Sequence, residues 1–208
     1  MTENNSSNLK INLITLGNST VGKTCFIYRY VYNKFLSILD STFGTDYSSK
    51  KIQLPSSQTI KLNFQDTAGQ ERYKAITLNL VKQADGILLI YDITKIETFE
   101  AITEWIEIIK EIKGNDFPIV LIGNKCDLEN KRKITKEDGE KKAQDNGFLF
   151  FETSCKNNIN IQETVNAIVD KITEGTIQSN ERKSIKLDEE KIEEDKLEKH
   201  KEKCTCSN

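Results

Sequence analysis

Residues Gly17 to Thr24 read GNSTVGKT, a G-x-x-x-x-G-K-[ST] segment. It lies between LKINLITL (Leu9 to Leu16), whose alternation predicts a strand, and Lys23 to Tyr32, which reads as a helix. Each residue type has a physical reason. The glycines let the backbone turn tightly and come close to an anion. Successive N–H groups and the helix N-terminus then face that anion. Lys23 offers a cation to the outer phosphates of a nucleotide, and the Thr24 hydroxyl offers a hard oxygen to Mg²⁺. The alternative, a glycine turn before an ordinary helix, fits the strand–loop–helix context less well.

The rest of the chain extends this pattern. Asp46 to Leu54 and Thr59 to Gln65 read as two strands joined by a polar turn at Pro55, Ser56 and Ser57, hence a hairpin. GILLIYDI (Gly86 to Ile93) is a continuous apolar run, as expected of a strand buried on both faces. Glu97 to Lys113 has helical periodicity, with Phe99, Ile102, Ile106 and Ile109 on one stripe. Phe117, Pro118 and IVLIG (Ile119 to Gly123) predict the next strand. Thr135 to Asn146 reads as a helix with Gly147 at its C-cap, FLFFET (Phe148 to Thr153) as the last strand, and Ile159 to Glu174 as the last helix. Strands alternating with helices predict an α/β fold: a mostly parallel sheet with one antiparallel hairpin strand and helices on both faces. In such sheets ligands bind at the carboxyl ends of the strands. The expected division is a polar, disordered 1–8, a folded 9–175 and a charged tail 176–208.

Composition narrows the chemistry. The chain has 208 residues and a formal net charge of −2, which gives no electrostatic reason to expect a nucleic-acid partner. No apolar run reaches the roughly 20 residues of a membrane-spanning helix, and the opening MTENNSSNLK has no apolar signal core. The five cysteines (Cys25, Cys126, Cys155, Cys204 and Cys206) are scattered and odd in number, unlike a disulfide framework. The one histidine, His200, lies in the charged tail, so histidine-based hydrolysis and histidine–zinc sites are not expected. Catalysis must then rest on positioning and electrostatics.

Three further motifs follow strand ends. In DTAGQE (Asp66 to Glu71), the aspartate can hold an Mg²⁺-bound water, Gly69 leaves its N–H open to a terminal phosphate, and Gln70 can orient an attacking water. In NKCD (Asn124 to Asp127), the Asp127 carboxylate can accept from both N1–H and the exocyclic amine of guanine, a donor pair that adenine lacks. Asn124 can bond the N7 edge and nearby loops, and the stem of Lys125 can lie over the base plane. In TSCK (Thr153 to Lys156), backbone N–H groups at Ser154, Cys155 and Lys156 can face the guanine O6; alternatively Ser154 only caps the following turn.

In this order and spacing the four motifs resemble those of the Ras superfamily of small GTPases, over about Leu9 to Gly175. Within it the chain is most similar to the Rab family, through STFGTDY (Ser41 to Tyr47), KLNFQDTAGQERY (Lys61 to Tyr73), YDIT (Tyr91 to Thr94) and the terminal cysteine pair. The resemblance implies a P-loop NTPase-type sheet and a switch that hydrolyses GTP to GDP and phosphate, slowly alone and faster with an activating protein. It implies nucleotide contacts from Gly17, Asn18, Ser19, Thr20, Val21, Gly22, Lys23, Thr24 and Cys25, and from Phe35, which matches an aromatic packed on the guanine. Thr42 matches the threonine that closes on Mg²⁺ and the terminal phosphate, so Thr24, Thr42 and Asp66 are the expected metal ligands, and Gln70, Lys23 and Thr42 the catalytic set. Cys155 stands where the family usually has alanine, and Tyr47, Gln65 and Leu80 stand where Rab proteins usually have an aromatic cluster. A nucleotide-holding module without turnover would be expected to lack the glutamine or the switch threonine; both are present. Also implied are an exchange factor, a GDP-dissociation inhibitor, effectors in vesicle traffic, and geranylgeranyl chains on Cys204 and Cys206. These would hold the protein on the cytoplasmic face of an intracellular membrane, cycling with the cytosol.

Overall fold

The computed structural model describes residues 9–36, 45–54, 59–67 and 74–175. The strands are β1 (Leu9–Leu16), β2 (Thr45–Gln53), β3 (Thr59–Thr67), β4 (Gly86–Asp92), β5 (Ile119–Asn124) and β6 (Leu149–Thr153). They form one sheet in the order β2-β3-β1-β4-β5-β6. Only β2 runs antiparallel, paired with β3 from Thr45↔Thr67 to Gln53↔Thr59; the other pairs are parallel. This is the predicted sheet, hairpin included. The helices are α1 (Lys23–Tyr32), α2 (Lys74–Gln83), α3 (Ile96–Glu100), α4 (Ile102–Lys113), α5 (Lys136–Gln144) and α6, residues 161–175. Residues up to Val169 belong to one compact unit and Asp170 opens a second, so the division falls within α6.

Strand alternation sorts the side chains between two layers. Ile14 and Leu16 of β1, with Ile87, Leu89 and Tyr91 of β4, pack with Val81 of α2, Ile102, Ile106 and Ile109 of α4, and Ala143 of α5. Leu13 and its register partner Phe64 lie on the opposite face. There α1 buries Phe26, Ile27 and Tyr30, and the Tyr30 ring sits 5.3 Å from that of Phe64. All of β4 and β5 is buried, as their continuous apolar runs require. Burial of each such Val, Leu, Ile or Phe side chain contributes about 1.5–3 kcal/mol.

Two helices differ from the sequence expectation. The periodic stretch Glu97 to Lys113 is divided into α3 and α4 at Ala101, which keeps helical dihedrals of φ −61° and ψ −18°. The first turn is tied to the end of β4: the Thr98 hydroxyl accepts from the Asp92 N–H (3.0 Å) and donates to the Lys95 carbonyl (2.8 Å). Helix α2 was not anticipated in the sequence reading. Helix α5 starts where its cap dictates, because the Thr135 hydroxyl accepts from the Asp138 N–H at 3.1 Å and the Asp138 carboxylate accepts from the Thr135 N–H. Gly147, at φ 73°, turns the chain from the end of α5 into β6.

Candidate functional site

The parallel strands β1, β3, β4, β5 and β6 all end at one edge of the sheet, in register: Leu16 pairs Leu89, Asp92 pairs Asn124, and Asn124 pairs Thr153. Along that edge stands a row of buried polar side chains: Thr15, Lys23, Asp66, Asp92, Asn124, Thr153 and Ser154, none more than 5% exposed. Burying polar groups is costly unless each is paired, and the pairing defines the site.

The loop after β1 is shaped by close approach. Gly17 has φ 134°, and a Cβ there would stand 2.1 Å from the Ile90 carbonyl oxygen of β4. Gly22 has φ 103°, and its Cβ would meet Asn124 Nδ2 at 2.3 Å. Only glycine fits either position. Thr20 is left-handed at φ 66°, a costly state for a β-branched residue. Two lysines hold it: Lys125 Nζ donates to its carbonyl (2.8 Å) and Lys95 Nζ to its hydroxyl (3.2 Å). Helix α1 begins at Gly22 with no side-chain cap and no acidic residue in its first turn, which keeps its positive end for an anion.

Lys23 Nζ donates to the Gly17 and Asn18 carbonyls at 2.9 and 2.8 Å. Burial lowers its pKa to about 8, against the opposing pull of Asp66. The Thr24 hydroxyl donates to Asp66 Oδ2, and the Thr15 hydroxyl donates to Asp66 Oδ1 at 3.1 Å. A hydroxyl and a carboxylate are thus brought together beside the lysine. Among the described residues no group of three or more His, Cys, Asp or Glu stands together. A hard cation that keeps waters and shares phosphate oxygens, as Mg²⁺ does, fits this sparse oxygen set.

At the far end, Asp127 Oδ1 accepts from the Ser154 hydroxyl at 2.6 Å, and Ser154 Oγ accepts from the Asn157 N–H at 3.0 Å. Asn124 links the two halves. Its Nδ2 donates to the Val21 carbonyl of the glycine loop (2.8 Å), and its Oδ1 accepts from the Thr153 hydroxyl (3.1 Å) and Cys155 Sγ (3.5 Å). Burial pushes the Cys155 thiol up to about 12, so it stays protonated and serves as that donor. Lys125, at φ 69°, forms an ion pair of 2.6 Å with Asp92, whose other oxygen accepts from the Thr94 N–H and hydroxyl.

The structure therefore gathers Gly17 to Thr24, Asp66, Asn124, Lys125, Asp127, Ser154 and Cys155 at one edge. Cys25 donates from Sγ to the Leu36 carbonyl at 3.8 Å, and Phe35 is 40% exposed. Tyr47 pairs with Gln65 across the hairpin and is 54% exposed. Thr42, Gly69, Gln70, Cys204 and Cys206 lie outside the described residues. Asp92, Thr15 and Arg29 were not anticipated as part of the site. For Asp92 a signal existed: a lone acidic residue closing a fully apolar strand.

A sequence model described as the Ras family matches residues 12–174. The Ras-related protein Rab-3C of Bos taurus is 44% identical over 158 residues, covering 76% of this chain and 69% of that protein. The Ras-related protein Rab-3D of Homo sapiens is 44% identical over 162 residues, with 78% and 74% covered, and Rab-3A of Homo sapiens is 43% identical, with 78% and 73% covered.

Proposed function

Because the chain belongs to the Ras family of small GTPases, in its Rab branch, we propose that it is a GTP-hydrolysing switch regulating vesicle traffic at a membrane surface. One observation above all supports this: a buried lysine, a threonine–aspartate pair and an aspartate held by a serine share one sheet edge. The proposed GTPase domain spans residues 9–175. The Lys23 ammonium and the loop N–H groups take the phosphates, and Asp127 takes the guanine edge. Thr24, Thr42 and Asp66 would hold Mg²⁺, which would neutralise charge developing on the transferred phosphoryl group. Gln70 orients the attacking water. Thr42 and Gly69 bind the terminal phosphate, and loss of that phosphate releases both segments to be read by effectors. An exchange factor, an activating protein and a GDP-dissociation inhibitor complete the cycle.

Phosphate release from GTP-loaded protein tests this reading. Turnover on the order of 10⁻⁴ s⁻¹ is expected without partners, rising by roughly 10⁵ with an arginine-supplying activator. Gln70→Leu should remain GTP-bound under the same activator. Hydrolysis by that variant at the wild-type rate would refute the role given to Gln70.

The membrane contact is proposed to come from geranylgeranyl chains on both Cys204 and Cys206. Among the described residues no helix is long and apolar enough to cross a membrane. A single lipid anchors only marginally, and stable attachment needs a second signal. Between Glu181 and Lys203 eight basic residues face nine acidic ones, so attraction to anionic lipid cannot supply it. Intact-mass analysis of membrane-purified protein should show two prenyl additions, and replacing either cysteine should leave most of the protein off the membrane. An unmodified C-terminus on membrane-bound protein would overturn the assignment.

A further inference from the structure

The guanidinium of Arg29 lies on the last turn of α1 and reaches a loop 126 residues further along the chain. Nε donates to the Cys155 carbonyl at 2.7 Å and Nη2 to the Lys156 carbonyl at 3.2 Å; Nη1 donates to the Asn33 carbonyl at 3.1 Å. Two consecutive peptide planes are thereby held from the α1 side by one rigid fork. A trans peptide directs its C=O and N–H to opposite sides. Holding the Cys155 carbonyl therefore turns the Lys156 N–H away from α1. Holding the Lys156 carbonyl does the same to the Asn157 N–H, which donates to Ser154 Oγ, the donor to Asp127.

The same helix is tied to the site at its other end. Lys23 opens α1, the Val21 carbonyl before it accepts from Asn124, and Asn124 accepts from Cys155. Helix, glycine loop, Asn124, Cys155 and Arg29 thus form a closed circuit. We propose that Arg29 is a positioning residue for guanine recognition: by holding the Cys155 carbonyl it aims the Lys156 N–H at the base, by holding the Lys156 carbonyl it keeps the Asn157 N–H on the Ser154 hydroxyl, and it couples that turn through α1 to the phosphate loop. This rests on the guanine-nucleotide reading above. Its neighbours on the circuit touch nucleotide in that reading; Arg29 acts only through them.

The test compares GDP with 6-thio-GDP, which keeps N1–H, the amine and N7 but replaces O6 with a weaker acceptor. Dissociation constants are measured for the full-length protein with Mg²⁺ present. Wild type should prefer GDP by about tenfold, the scale of one well-placed hydrogen bond. In Arg29→Ala the preference should fall towards unity and GDP should leave at least tenfold faster, its affinity falling about tenfold further than that of 6-thio-GDP. General loosening of the fold would instead weaken both nucleotides alike and leave their ratio intact. Arg29→Lys keeps the stem and the charge but has no fork, so it too should lose at least threefold of the preference, and it serves if the alanine variant does not fold. An unchanged ratio in a folded variant overturns the role of Arg29, as does a wild type that binds the two equally. A wild type that binds neither diphosphate overturns the guanine reading itself.

Discussion

Replacing Lys23 with alanine should reduce affinity for GTP and GDP by about 10²- to 10⁴-fold. That range follows from two charge-assisted hydrogen bonds to phosphate at about 1.5–3 kcal/mol each. The empty protein should not suffer comparably. Lys23 is 5% exposed, and its burial disfavours the charged form. Its removal takes away that desolvation cost as well as the bonds to the Gly17 and Asn18 carbonyls. Titration with a fluorescent nucleotide, beside thermal unfolding of nucleotide-free protein, separates the two effects. Retention of wild-type affinity would remove Lys23 from the phosphate site.

The second large effect is expected at Asp127. Asp127→Asn should lower GTP affinity by about 10²-fold or more, because an amide donor then opposes the guanine amine and leaves two donors unpaired. It should raise affinity for xanthosine triphosphate, whose C2 oxygen accepts where the guanine amine donates. The Ser154 hydroxyl favours this exchange of preference. It donates to Oδ1 of Asp127 at 2.6 Å, so an asparagine would turn its oxygen to Ser154 and present its NH₂ outward. Competition binding with GTP, xanthosine triphosphate and ATP reads the outcome. An unaltered preference for GTP would exclude Asp127 from base recognition.

Local features of the site were legible in the sequence because they are consecutive residues. GNSTVGKT lies within one strand–loop–helix passage, so its glycines, lysine and hydroxyl carry their geometry with them. The sheet was legible for a similar reason: β4 and β5 run apolar up to their last residues, Asp92 and Asn124, as expected of strands covered on both faces. The pairings between distant segments were not. Asp92 stands out as the acidic end of an apolar strand, but its pairing with Lys125, like that of Arg29 with Cys155 and Lys156, comes from tertiary placement that leaves no local pattern. The sequence pattern offers the NKCD lysine as a cover for the base, and its ammonium also joins β4 to the glycine loop. Ala101 has good helix propensity and keeps helical dihedrals, so no breaker residue marks the division between α3 and α4.

The order of strands has a consequence for the newly made chain. Gly17 lies against Ile90, Val21 is held by Asn124, and Asn124 is held in turn by Thr153 and Cys155. The proposed phosphate loop therefore leaves the ribosome before the segments that fix its shape. Before β6 is synthesised, β1 already has strand partners in β3 and β4, but Asn124, which holds Val21, lacks the donors from Thr153 and Cys155 that fix its own amide. Parallel pairings across such separations carry the loop-closure cost before any contact repays it, so assembly is slow and late. A nascent chain ending before Cys155 should be unable to retain nucleotide. On the proposed function, bound nucleotide would stabilise newly made chains by mass action, before any question of switching arises.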